Sequence, residues 1–121
     1  MSDFTPAIDQ IAMVHQGKKD AHELTIEALS RIDVIDRNGY QLNSILALSF
    51  DALENSEKIN PTLPLAGIPV VIKDNVEAVG LPASAGSLAL RNFPVKEDST
   101  IARRLRKAGA NIIGATNLSE W

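Results

Sequence analysis

Two short apolar runs constrain this chain more than anything else in it. Ile68-Pro69-Val70-Val71-Ile72 ends in Lys73-Asp74-Asn75, and Asn111-Ile112-Ile113-Gly114-Ala115 ends in Thr116-Asn117. Neither run alternates apolar with polar residues. A short continuous run of this kind predicts a strand covered on both faces, as in a parallel sheet. One amphipathic segment lies shortly before the second run. Asp98 or Ser99 offers a cap, Ile101, Ala102, Leu105 and Ala108 are spaced to face inward, and Gly109 supplies the stop. Strand, helix and strand in this order predict a parallel α/β unit with a right-handed crossover.

The first sixty residues read differently. Pro6 suits the first turn of a helix, with Thr5 as its cap and Ala7, Ile8, Ile11, Ala12 and Val14 as its apolar face. Gly17 stops it, and Lys18-Lys19 links it to a second helix. Asp20 and Glu23 stand at capping-box spacing, and Leu24, Ala28, Ile32 and Ile35 recur at helical intervals up to Arg37-Asn38-Gly39. The result is a helical hairpin. Residues 43–48 then read as a strand, and Ser49 as the cap of a short helix to about Lys58. Beyond residue 60 the texture changes, because five of the six prolines lie between Pro61 and Pro94. The chain therefore divides into residues 1–60, a helical extension with a first strand, and residues 61–121. After the second run, Thr116-Asn117 is placed to cap a further helix starting at Leu118-Ser119-Glu120.

Composition removes several function classes. The chain has 121 residues, of which 45% are hydrophobic, so a folded domain or part of one is expected rather than disorder. There is no cysteine, which excludes thiol catalysis and cysteine-ligated metal. No apolar run approaches the ~20 residues of a membrane span. The start, MSDFTPAID, has acids where a secretory leader needs bases, so a cytoplasmic protein is expected. The net charge is −3, and residues 61–121 carry only seven Lys/Arg against five Asp/Glu, too small a basic excess to argue for nucleic acid. Arg103, Arg104, Arg106 and Lys107 fall in a last helical turn, where cations complement the helix dipole. Glu97-Asp98 reads as charge at that helix's start, and His15 and His22 as solvated helix residues.

Lys73 is the position with chemical interest. It ends a strongly apolar strand, at the carboxyl end where ligands of parallel α/β sheets bind. Desolvation there favours a neutral amine able to act as a base. The plainer alternative is a lysine that leaves the strand into solvent and pairs with Asp74 or Glu77. The loop Gly80-Leu81-Pro82-Ala83-Ser84-Ala85-Gly86-Ser87 is small enough to approach a ligand, but such loops are commonly mere turns. There is no nucleophile elbow and no phosphate-binding loop.

Residues 64–121 nevertheless carry an ordered set of motifs: P-L-A-G-I-P, an apolar strand, K-D-N, S-A-G-S-L-A-L, a helix ending R-K-A-G-A, and a strand followed by T-N-L-S-E-W. In this order they resemble the start of the amidase signature family, with S-A-G-S-L-A-L and T-N-L-S-E-W closer to its peptide-amidase-like and general amidase branch than to the glutamyl-tRNA amidotransferase A subunit. The resemblance implies an α/β fold around a large mixed sheet, and hydrolysis of amide C–N bonds in small-molecule or peptide substrates by a Ser–cis-Ser–Lys set. It places the lysine at Lys73 and favours the base reading there. It implies no metal and no organic cofactor.

The resemblance also implies what these residues lack. The Gly/Ser-rich segment that holds both serines is expected downstream of T-N-L-S-E-W. Ser84, Ser87, Ser99 and Ser119 lie in other motif segments and are not candidates for the nucleophile. Ala115 stands where the family often has lysine. The chain is thus expected to be an N-terminal fragment of an amidase, carrying Lys73 without its serines and inactive alone. A complementing C-terminal chain in a split enzyme, or a small non-enzymatic interaction module, are the alternatives. Low stability in isolation is expected as well, since two buried-type strands need neighbours.

Overall fold

Helix α1 (Ala7–His15) begins at Pro6, whose φ of −56° suits helix entry, and no side chain caps it. Thr5 therefore does not act as the expected cap; its carbonyl accepts from Gln10 Nε2 at 2.8 Å. The helix meets the rest of the chain through Ile11 and Val14, which leaves Ile8, expected on the inner face, 70% exposed. The computed structural model describes residues 4–119, and all that follows concerns them. Helix α2 (Ala21–Arg31) does start with a capping box: Glu23 N donates to Asp20 Oδ1 at 2.8 Å, and Asp20 N to Glu23 Oε2 at 2.9 Å. It runs on into a π-helical turn, Ile32–Arg37, with Asn38 N donating to the Asp33 carbonyl and Tyr40 N to that of Ile35. The wider turn contains the buried Asp36.

Strand β1 (Ile45–Leu48) follows, then helix α3 (Ala52–Lys58). Ser49 does not cap α3. Asp51 holds the cap position, and the Ser49 hydroxyl donates to Asp51 Oδ1 at 2.5 Å. Strand β2 (Pro69–Lys73), helix α4 (Thr100–Lys107) and strand β3 (Asn111–Thr116) complete the described elements. Ser99 caps α4, accepting from Ala102 N at 3.3 Å. Ala102 is buried and Leu105 packs on the core, but Ile101, expected inward, is exposed, because it lies about 100° round the helix from Ala102.

The sheet has the order β1-β3-β2. Strands β2 and β3 are parallel, as expected, with Val70 opposite Ile112 and Ile72 opposite Ala115. Strand β1 is antiparallel to β3, so the sheet is mixed rather than wholly parallel. The first five residues of β3 are all buried. β2 departs from the expectation of two covered faces. Val71 is 38% exposed and Ile72 is buried, because β2 is an edge strand here and only one of its faces is well covered. That face joins α4 in a core of Ile72, Ala78, Leu81, Ala102, Ile112 and Ala115. Val14, Leu24, Ala66 and Ile68 form a second core under the helical hairpin. Burying side chains as large as Ile112 and Ile113 stabilises by about 1.5–3 kcal/mol each.

Two glycines let the helices close on the sheet. Gly67 has φ +80°, and a Cβ there would lie 2.3 Å from Ala21 Cβ. Gly109 has φ +92°, and its Cβ would lie 2.7 Å from Leu63 Cβ. Gly67 N donates to the Gly109 carbonyl at 2.7 Å, so the entries to β2 and β3 are joined backbone to backbone. At the far end, β3 runs through Thr116, and Leu118 and Ser119 are not helical. The remainder of the expected next helix, Glu120 and Trp121, lies outside the described residues.

Candidate functional site

The carboxyl ends of β2 and β3 lie side by side, with Lys73 opposite Thr116. Side chains alternate across a strand. Ile72 is buried, Lys73 is exposed and Asp74 is fully buried, at 0%. The four ion pairs among the described residues join Lys19 to Glu27, His22 to Glu57, Lys58 to Glu54 and Arg106 to Asp98. Lys73 is in none of them, so the plain alternative of pairing with Asp74 or Glu77 is not realised. The expected desolvation is not realised either, since the residues described leave Lys73 exposed.

Asp74 has turned the other way. Its Oδ2 accepts the Ser84 hydroxyl at 2.5 Å and Gly86 N at 3.2 Å. Its carbonyl accepts Ala85 N at 3.0 Å, and its own amide donates to the Thr116 carbonyl at 3.0 Å. Its Oδ1 is buried with no hydrogen-bond partner among the described residues. The loop thus held is strained. Ala83 and Ala85 have φ of 47° and 50°, a left-handed geometry that costs a non-glycine residue about 1–2 kcal/mol. The 80–87 loop, weighed from sequence as a mere turn, is therefore anchored beside Lys73. The clue lay in the phase of the strand, which, carried one residue past its end at Lys73, points residue 74 inward once Ile72 is inward; the partner Ser84 carried no spacing signal.

The same loop forms one wall of a cavity of about 400 Å³. Leu46 and Ala47 of β1, Ser84, Gly86 and Ser87 of the loop, and Asn117 after β3 contribute to its lining. Asn117 is fixed by its own amide, which donates to the Ser44 carbonyl at 2.8 Å, and by Nδ2, which donates to the Asn43 carbonyl at 3.0 Å. The Ser84 hydroxyl donates to Asp74, and the Ser99 hydroxyl accepts from Ala102 N. His15 and His22 are engaged rather than simply solvated. His15 Nε2 lies 3.1 Å from the Leu63 carbonyl, and His22 Nδ1 lies 3.1 Å from Ser56 Oγ. Asp98 is likewise no mere dipole charge, since it accepts Val79 N at 2.8 Å and pairs with Arg106 Nε at 3.0 Å. Among the described residues no group of three His, Cys, Asp or Glu is placed to hold a metal. No helix among them is long and apolar enough to cross a membrane.

A mixed α/β sheet with a lysine at the carboxyl end of one strand, followed by a buried aspartate that pins a small-residue loop, is the class of architecture these observations define. The Amidase family model matches residues 23–121, and the chain belongs to that family, the amidase signature enzymes. The chain is 40% identical to peptide amidase PAM, solved with the competitive inhibitor chymostatin, with a TM-score of 0.91 over 98% of this chain and 26% of that one. Native peptide amidase from Stenotrophomonas maltophilia matches at 38% identity and a TM-score of 0.88 over the same shares. The glutamyl-tRNA(Gln) amidotransferase A subunit from Thermus thermophilus is 37% identical over 110 residues, covering 91% of this chain and 23% of that protein. The chain thus spans about a quarter of the length of the relatives it matches.

Proposed function

We propose that this chain supplies the lysine of an amide-hydrolysing site of the Ser–cis-Ser–Lys type, and that residues 1–121 by themselves do not turn over. The carrying observation is the position of Lys73. It stands at the carboxyl end of β2 within the K-D-N segment, outward, with no ion-pair partner among the described residues. In the proposed reaction its neutral amine draws a proton through one serine from a second, nucleophilic serine. The nucleophile attacks the amide carbonyl, the amine leaves, and water hydrolyses the acyl-enzyme. We assign both serines, and the dry surroundings a neutral lysine needs, to the length that the relatives carry beyond the matched quarter. The S-A-G-S-L-A-L segment and the 40% identity to a peptide amidase support a peptide amide as the substrate class.

The test joins this chain to the remaining three quarters of a peptide amidase, replacing the quarter that it matches. The fused protein is expected to hydrolyse peptide amides, and Lys73→Ala to lower kcat at least about 10³-fold, as removal of one member of a catalytic set does. The chain alone is expected to show no turnover. Lys73-dependent hydrolysis by the chain alone would overturn the second half of the proposal, and an active Lys73→Ala fusion the first.

A further inference from the structure

We infer that Asp74 is a positioning residue for Lys73, acting as a buried clamp that holds the 84–86 loop against the end of β2. The inference rests on the reading of Lys73 given above and concerns how that side chain is held. Lys73 is the last residue of β2 and Asp74, next in sequence, the first of the turn that follows, one exposed and the other fully buried, so whatever fixes Asp74 constrains the direction of Lys73. Asp74 is fixed from three sides. Thr116 holds its amide, Ala85 N bonds its carbonyl, and Ser84 Oγ and Gly86 N bond its carboxylate.

These bonds span a loop that favours release. Two alanines in it adopt left-handed backbone geometry, which persists only where surrounding contacts over-determine it. The carboxylate itself has little reserve, since Oδ1 has no hydrogen-bond partner among the described residues. Removing the Ser84 hydroxyl would leave a fully buried carboxylate with a single side-chain hydrogen bond, the arrangement least tolerant of loss. The strain and the clamp belong together. The loop is bent to reach Asp74, and Asp74 is drawn inward to meet it, which leaves Lys73, the residue before it, exposed.

The test uses this chain with Asp74→Asn, Ser84→Ala and Ser84→Thr. Deuterium uptake over residues 80–92 reports the loop, uptake over α2 serves as the internal reference, and the rate of reductive methylation of Lys73 relative to Lys58 reports its placement. Asp74→Asn and Ser84→Ala are expected to raise loop exchange about tenfold or more while α2 is unchanged. The Lys73 to Lys58 ratio is expected to shift about twofold. Ser84→Thr, which keeps the hydroxyl, is expected to restore both. Unchanged loop exchange and an unchanged ratio in the first two variants would overturn the inference. If Ser84→Ala unfolds the chain, Ser84→Thr decides: protection like that of the unaltered chain supports the clamp, and its loss overturns it. Neither measurement needs turnover, so a failure here is distinct from an active Lys73→Ala fusion.

Discussion

Asn111 joins the helical first part of the chain to the sheet. It is the first residue of β3, it is 2% exposed, and its Nδ2 donates to both Thr25 Oγ1 and the Ala52 carbonyl at 2.9 Å. The Thr25 hydroxyl in turn donates to the Ala21 carbonyl at 2.7 Å, so α2, α3 and β3 meet at one amide. Asn111→Ala is expected to destabilise the chain by about 2–3 kcal/mol, because it removes two buried hydrogen bonds at once. Asn111→Asp is expected to cost more than Ala, since it turns a carboxylate toward two acceptor oxygens. Urea unfolding at low temperature measures both, and an Asp variant as stable as Ala would show that volume, not the donor, matters. At this scale the sequence told only part of the story. The place of Lys73 at a strand end was legible because it ends an apolar run, but the contacts of Asn111 and Asp74 were not. Their partners lie on other elements, and no short spacing encodes them.

Between elements, the most specific device is the junction of the π-helical turn with β1. Asp36 Oδ1 accepts Ser44 N at 2.8 Å and the Ser44 hydroxyl, and Oδ2 accepts Ile45 N at 3.2 Å. The Ser44 hydroxyl bond, helped by the two amides and the Arg37 charge, holds the Asp36 carboxyl below its usual 3.8 against a smaller opposing effect of burial. A depressed folded value means a contribution fully present above the unfolded value and lost as pH falls through the folded one. The urea midpoints of the unaltered chain and Asp36→Asn should therefore differ by a constant amount from about pH 5 to 7 and draw together as the pH falls below 3.8 through the lowered folded value. A gap that persists at low pH would remove the charge from the explanation. Legibility at this scale followed distance along the chain. The Asp20–Glu23 box and the Ser99 cap were readable because donor and acceptor sit three residues apart. Thr5 and Ser49 failed as caps because the cap positions fall later, at Pro6 and Asp51. Nothing local announced the π-helical turn.

For the molecule as a whole, much apolar surface is in the open. Phe4, Tyr40, Phe50 and Leu88 are each more than 80% exposed, and Val71 borders a groove of about 330 Å³ with Ile35, Leu42, Ile45 and Ile113. Such patches predict self-association and dye binding. The isolated chain is expected to bind a hydrophobic dye, to run larger than a monomer at micromolar concentration and to melt broadly. A sharp two-state melt of a dye-free monomer would contradict this. The fold class was legible from the two apolar runs and the helix between them. The placement of β1 was not, because strand order is settled by contacts far apart in sequence. That order carries a consequence for synthesis. The central strand β3 is the last of the three to be made, yet both of its neighbours depend on it for pairing. While the roughly 40 residues after β2 are added, at about 5–20 per second, β1 and β2 wait some seconds with no strand to pair with. A nascent chain of this order keeps unpaired strand edges open until Asn111–Thr116 emerges.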